Sequence, residues 1–343
     1  MYNYSEYYVT GATGFLGSHV VKELIKCGEK VNALVLPNDK HRSELPDSVT
    51  VTAGDVTDID SIYAWLKNAE HPCCLIHCAG IVSIATSPGP MLEKVNVGGT
   101  KNIIKACKEM SVDRLVYVSS VHAIPELKDG KTMTEVSSFS ADKVDGAYAK
   151  SKAKATAAVL AAIKDGLNAC IVHPSGIIGP NDSSCGNIAK MLIAYCKGKL
   201  PLSVKGGYDF VDVRDVAHGV VECCREGRAG ECYILSGEFA TVDEIIGEAS
   251  RMTKVRKPLF NLPLKPVMLI AKLVEKMKRK STTPFFTPYS IAVLGANANF
   301  SHAKATRELG YSPRPLKETV SDTVKWIKDK YIKHSKSSKD ANN

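Results

Sequence analysis

Apolar residues come in short runs through the first half of the chain, at residues 7–9, 31–36, 49–53, 74–77, 115–119 and 169–173. Runs of this length, bounded by turn formers, read as buried strands. Between the first two, Phe15, Leu16, Val20, Val21, Leu24 and Ile25 fall at helical spacing. Strands alternating with stretches long enough for crossover helices predict an α/β fold with a doubly wound parallel sheet. After Pro174 the elements shorten and are broken by Gly, Pro and Ser, and from Thr241 onward the pattern is mostly helical. That change predicts a smaller C-terminal lobe. Helical spacing at residues 212–221 is expected to bring the chain back to the first lobe. The reading therefore divides the chain into a first lobe of 1–175, rejoined at about 213–235, a second lobe of 176–212 and 236–332, and a frayed polar tail of 333–343.

The turn after the first strand carries Gly11, Thr13, Gly14, Phe15, Leu16 and Gly17, with the glycines spaced G-x-x-G-x-x-G. Such spacing between a strand and a helix is that of a dinucleotide-binding (Rossmann) turn. Gly11 permits the tight turn, Gly14 lets the backbone approach a pyrophosphate at the helix N-terminus, and Gly17 lets the helix pack closely. The first lobe is thus the candidate NAD(P)-binding lobe, and the second the candidate substrate lobe.

Composition narrows the classes. The 343 residues are 44% hydrophobic, enough for a large core, and no stretch approaches the length of a membrane span. The first ten residues lack the basic and apolar regions of a signal peptide, so a cytoplasmic location is expected. Eleven scattered cysteines without a C-x-x-C pair read as free, mostly buried thiols, and no spacing supports a metal site. The net charge of +9 is concentrated near residues 272–280 and 325–339, at the periphery, which argues against nucleic acid. Residues 263–280 mix apolar residues with lysines, and the shortness of the apolar run favours a helix capping a pocket over one lying on a membrane.

Three Tyr-x-x-x-Lys pairs occur, at Tyr63/Lys67, Tyr148/Lys152 and Tyr195/Lys199. Each would put both side chains on one helix face. Context selects Tyr148 and Lys152, because they begin an alanine-rich helix after the strand ending at Ser119 and Ser120, whose polar end should open at the carboxyl edge of the sheet. A free tyrosine, with a pKa of about 10, is a poor base. A neighbouring ammonium is expected to favour the phenolate, so that Tyr148 exchanges a proton with an alcohol or ketone while Ser120 binds its oxygen.

With the matches at Gly54-Asp55-Val56, Cys78-Ala79-Gly80, residues 96–100 and 173–175 added, the chain resembles the extended short-chain dehydrogenase/reductases along nearly its whole length. The resemblance implies that Asp55 and Val56 flank the adenine, that Ala79 and Gly80 line the cofactor cleft, that Lys152 reaches the ribose and that Pro174 and Ser175 lie near the nicotinamide. Asn96 either supports the site or caps a helix. A homodimer through the helices around Tyr148 would be ordinary for such enzymes.

Two departures bear on substrate. His122 stands where nucleotide-sugar enzymes continue Val-Tyr-Gly, and Tyr208 stands where they commonly place a diphosphate-gripping arginine. His122 is read as a pocket-wall residue, and Arg214 as a structural ion pair with Asp212 and Asp215. From residue 263 onward the chain is similar to the dihydroflavonol reductase and 3β-hydroxysteroid dehydrogenase-like branch. That similarity implies a bulky, apolar, polycyclic hydroxy or keto substrate, with Val267, Met268, Ile270, Leu273, Val274, Phe285 and Phe286 as lid candidates. A nucleotide-sugar epimerase or dehydratase, or a non-catalytic NAD(P)-sensing protein, are the rival readings. After the second strand no acidic residue stands at Leu36; Lys40 and Arg42 follow and could meet a phosphate, while Asp39 could reach the ribose, which tilts the reading only slightly toward NADP(H) over NAD(H).

Overall fold

The computed structural model describes residues 4–85, 89–128, 130–200, 202–277 and 287–333. The first lobe contains β1 (Glu6–Thr10), α1 (Phe15–Lys26), β2 (Val31–Val35), β3 (Thr50–Ala53), α2 (Ile59–Leu66), β4 (Cys73–His77), α3 (Met91–Glu93), α4 (Thr100–Glu109), β5 (Arg114–Val118), α5 (Ala147–Lys164) and β6 (Ala169–Pro174). The remainder is β7 (Gly176–Ile178), α6 (Asn187–Cys196), β8 (Leu202–Lys205), β9 (Gly207–Asp212), α7 (Val213–Glu226), β10 (Cys232–Leu235), β11 (Glu238–Thr241), α8 (Val242–Thr253), β12 (Phe260–Pro263), α9 (Leu264–Met277), α10 (Pro288–Gly295), α11 (Ala303–Leu309) and α12 (Leu316–Ile327).

Seven parallel strands form the main sheet in the order β10-β6-β5-β4-β1-β2-β3. β4, β5 and β6 are buried throughout, as strands covered by helices on both faces must be. One apolar layer sets α1 and α7 against one face, and the other sets α2, α4 and α5 against the opposite face. α7 and β10 are the returning segment, lodged beside α1 and β6. The stretches expected to form the second lobe hold two small sheets, β11-β9-β7 and β12-β8, with α6, α8, α9, α10 and α12. One stretch expected there behaves otherwise: α11 packs on α7 and β10, and Ala305, Leu309 and Tyr311 join the core of the first lobe. All eleven cysteines are free and eight are buried. The expected tail lies, from residue 334 onward, outside the described residues.

Candidate active site

β1 and β4 are adjacent, yet the chain leaves β1 for β2 on one side and reaches β4 only after β3 at the sheet edge. This is the switch point of the sheet, where a crevice opens at the carboxyl ends of the strands. Gly11 sits there with φ +67, and a Cβ on it would lie 2.7 Å from the Ala79 amide nitrogen. Only glycine lets the two strand ends meet. A Cβ on Gly17 would lie 2.0 Å from the Gly11 carbonyl oxygen, so α1 rests directly on the turn. Gly14 caps α1 without a side chain over the first amides, and the first turn holds no acid. Phe15 and Leu16 therefore open a helix end whose N–H groups are free to meet an anion.

The turn is braced laterally. Thr13 Oγ1 donates to Asp39 Oδ2 at 2.6 Å, and the same carboxylate accepts from the His41 amide at 2.8 Å. Arg42 is exposed nearby and makes no ion pair among the described residues. Asp55 and Val56 follow β3 at the same edge, with Asp55 accepting from the Thr57 amide at 2.8 Å.

A chain of neutral polar groups holds the loop after β4. The Ala79 amide donates to Thr10 Oγ1 at 3.2 Å, and Thr10 Oγ1 lies 2.7 Å from His77 Nδ1. His77 Nε2 lies 3.1 Å from Thr100 Oγ1, which donates to the Asn96 carbonyl. Burial keeps His77 neutral by lowering its pKa to about 3. Asn96 resolves in favour of site support: its side chain accepts from the Ile81 amide at 2.7 Å and donates to the Ile81 carbonyl and to Ser151 Oγ, each at 3.0 Å. Gly80 is thereby held against α5, where an added Cβ would come 3.4 Å from Lys152 Nζ.

Ser120, Tyr148 and Lys152 are brought together, all buried, between the end of β5 and the first turns of α5. Burial pushes the Tyr148 phenol up to about 12, outweighing the opposing influence of the Ser120 hydroxyl. Lys152 has partners of its own. Its ammonium donates to the Val118 carbonyl at 2.9 Å and lies over the Tyr117 ring, and burial brings it down to about 8. Tyr63 is on α2, bonded to Glu109, and Tyr195 bonds the Val255 carbonyl, so neither rival pair reaches the crevice.

His173 closes the site from behind. Its Nδ1 lies 3.0 Å from the Ser120 carbonyl oxygen, and its ring stacks on Phe139. With its pKa lowered to about 4 by burial, the neutral ring must carry its proton on Nδ1 to make that bond. Pro174 ends β6 beside it, and Ser175 is buried between β6 and β7.

The wall facing Tyr148 is aromatic. His122 stacks on Tyr208 at 5.6 Å between centroids, meets Tyr148 edge-on at 5.8 Å and lies 3.5 Å from the Tyr289 hydroxyl through Nδ1. Burial lowers the His122 pKa to about 4, so this wall is uncharged at neutral pH. Tyr289 was not foreseen as a site residue. Its one sequence trace is Gly146, at φ +92, where a Cβ would fall 2.2 Å from the Tyr289 ring.

Two expectations are corrected. α9 is not an apolar lid: Val267 is buried and Met268 packs on the core, but Ile270, Leu273 and Val274 face outward and are exposed. Phe285 and Phe286 lie outside the described residues. Arg214 is a structural ion pair as expected, but with Asp212 and Asp322, both at 2.7 Å, while Asp215 pairs with Arg314. Of metal-ligand types, His71, Cys73 and Asp113 gather at the opposite edge of the sheet, where Asp113 already accepts from His71 and from the Cys73 amide at 2.7 Å.

Residues 7–235 match the model of the NAD-dependent epimerase/dehydratase family. The chain belongs to that family. It is 29% identical to sterol demethylase protein B of Methylococcus capsulatus over 94% of this chain and 98% of that protein. It is 28% identical to the decarboxylating sterol-4-alpha-carboxylate 3-dehydrogenase of Mus musculus, over 92% and 89% of the two chains. The crystal structure of gox2253 superimposes with a TM-score of 0.82 at 32% identity, covering 95% of this chain and 98% of that one. The crevice of this family member fits the dinucleotide that the family name specifies. The uncapped α1 end and Gly14 suit its pyrophosphate, and Lys152 beside Gly80 suits its ribose hydroxyls. No helix among the described residues is long and apolar enough to cross a membrane.

Proposed function

We propose that this protein is an NAD(P)(H)-dependent oxidoreductase interconverting a secondary alcohol and a ketone on a bulky apolar substrate, such as a 3-hydroxysteroid and its 3-keto form. The observation that carries this reading is the uncharged aromatic wall of His122, Tyr208 and Tyr289 facing Tyr148. A diphosphate buried against it would lose its hydration without a cationic partner, whereas apolar surface gains about 25 cal/mol per Å2 on burial. Arg214, the nearest arginine in sequence, is held by two carboxylates. The sterol-related names of the similar proteins point the same way.

The bound nicotinamide supplies the hydride acceptor or donor. Tyr148, protonated at neutral pH, gives its phenolic proton to the carbonyl oxygen in reduction and regains it in oxidation. Ser120 donates to the same oxygen as charge develops on it. Lys152 and the Val118 carbonyl fix the start of α5, while His173 fixes the Ser120 backbone. Because Arg42 is unpaired and Asp39 is engaged by Thr13, the end of β2 favours the extra phosphate of NADP(H).

The test is a competition on one preparation, comparing dinucleotide-dependent turnover of a 3-hydroxysteroid with conversion of a UDP-hexose. Steroid turnover is expected. Robust hexose conversion without steroid activity would assign the epimerase chemistry instead.

A further inference from the structure

α9 has an apolar outer face as well as an apolar inner one. Leu264, Val267, Met268 and Ala271 recur at helical spacing and turn inward, with Val267 and Ala271 buried. The opposite side presents Leu269 at 69% exposure, Leu273 at 59%, Ile270 at 56% and Val274 at 39%. With Pro266, also exposed, these span an arc of about 140° at 100° per residue, without a polar side chain within it. Leu259, at 89%, and Phe260, at 65%, lie on the stretch leading into β12 and α9. A folded protein rarely leaves so much contiguous apolar surface in water unless something covers it.

The boundary of this face is basic. Lys265 and Lys272 stand side by side along one edge of the arc, exposed, and neither pairs with a carboxylate among the described residues. Residues 254–274 carry five basic side chains, Lys254, Arg256, Lys257, Lys265 and Lys272, and no acid. Burying this face against a second copy of the chain in an antiparallel two-fold contact would set one basic margin against the other. An anionic bilayer reverses that sign, because its phosphates neutralise the lysines while its acyl region takes the leucines.

We propose that the outer face of α9 is a peripheral docking surface for an anionic phospholipid bilayer. The helix lies in the plane of the interface, held to the protein by its inner face. The attachment has two parts: apolar insertion by Leu269, Ile270, Leu273 and Val274, and salt-sensitive attraction through Lys265 and Lys272. It does not depend on the steroid reading, since binding is measured without substrate or dinucleotide.

The experiment is co-sedimentation of the full chain with vesicles of phosphatidylcholine alone or mixed with phosphatidylglycerol. Binding to the mixed vesicles at low salt, reduced at high salt, is expected. The double variant Leu269→Glu/Leu273→Glu should lose most of it, and Lys265→Gln/Lys272→Gln should weaken it severalfold. Leu127→Glu, an exposed apolar residue elsewhere, should leave it intact. The substituted side chains are exposed, so unchanged thermal melting accompanies these effects. Protein remaining in the supernatant with every vesicle would overturn the proposal. So would a dimer in solution that Leu273→Glu converts to monomer, since a second copy would then be the cover.

Discussion

Lys152 Nζ donates to the carbonyl of Val118 at 2.9 Å, tying the first turns of α5 to the last residue of the central strand β5. The bond holds the ammonium beside Gly80, at the loop after β4. Anchoring is what the bond provides, and ribose binding by the same ammonium is part of the proposed function. Lys152→Met is expected to weaken dinucleotide binding and turnover together, by roughly tenfold or more in affinity for a lost charged hydrogen bond. With the ammonium brought down to about 8, dinucleotide affinity of the wild-type protein should decline as pH rises through 8. Fluorescence titration of the reduced dinucleotide at pH 7 and pH 9 checks both points, and equal affinities at the two values would refute the assignment.

Tyr148→Phe removes only the phenolic proton from a buried position beside Ser120. Turnover is expected to fall by about 10²- to 10⁴-fold, with dinucleotide affinity nearly unchanged. Tyr63→Phe, at an α2 tyrosine bonded to Glu109, should do nothing. Steady-state rates of the purified variants decide this, and full activity in Tyr148→Phe would remove the mechanism.

Arg42→Ala tests the cofactor preference. The guanidinium is exposed and unpaired, so its loss should leave stability unchanged and weaken NADP(H) more than NAD(H). Equal losses for the two dinucleotides, measured by titration, would mean that the ribose end is read elsewhere.

Acid should destabilise the protein before most of its carboxylates titrate. Burial lowers His77 to about 3 and His122 and His173 to about 4, so the folded state stays neutral where the unfolded chain takes up protons near pH 6.5. Stability is therefore fully present above pH 6.5 and falls as pH drops toward 4, by up to about 1.4 kcal/mol per pH unit for each histidine. Asp209, raised by burial to about 6, opposes this with a single proton. Urea midpoints are expected to be level from pH 8 to 7 and to decline between pH 6.5 and 5. A level profile down to pH 5 would contradict the buried neutral state.

The sequence by itself determined what depends on near neighbours. The glycine spacing of Gly11, Gly14 and Gly17 follows from one turn, the alternation of strands and helices from local periodicity, and the Tyr148/Lys152 pair from a single helical turn. Tertiary structure alone decided what joins residues far apart. Tyr289 reaches His122 across 167 positions, Arg214 chooses Asp322 across 108, and His173 holds Ser120 across 53. α9 states the limit most plainly: periodicity marked its apolar residues, but a pattern with apolar side chains on both faces does not say which face the core takes. That choice was made by Val267 and Ala271 packing inward, which left Leu269 and Leu273 turned to the surroundings rather than over the pocket. Register, strand order and the packing of one element on another set such pairings, and none of these is encoded in any window of the chain short enough to read.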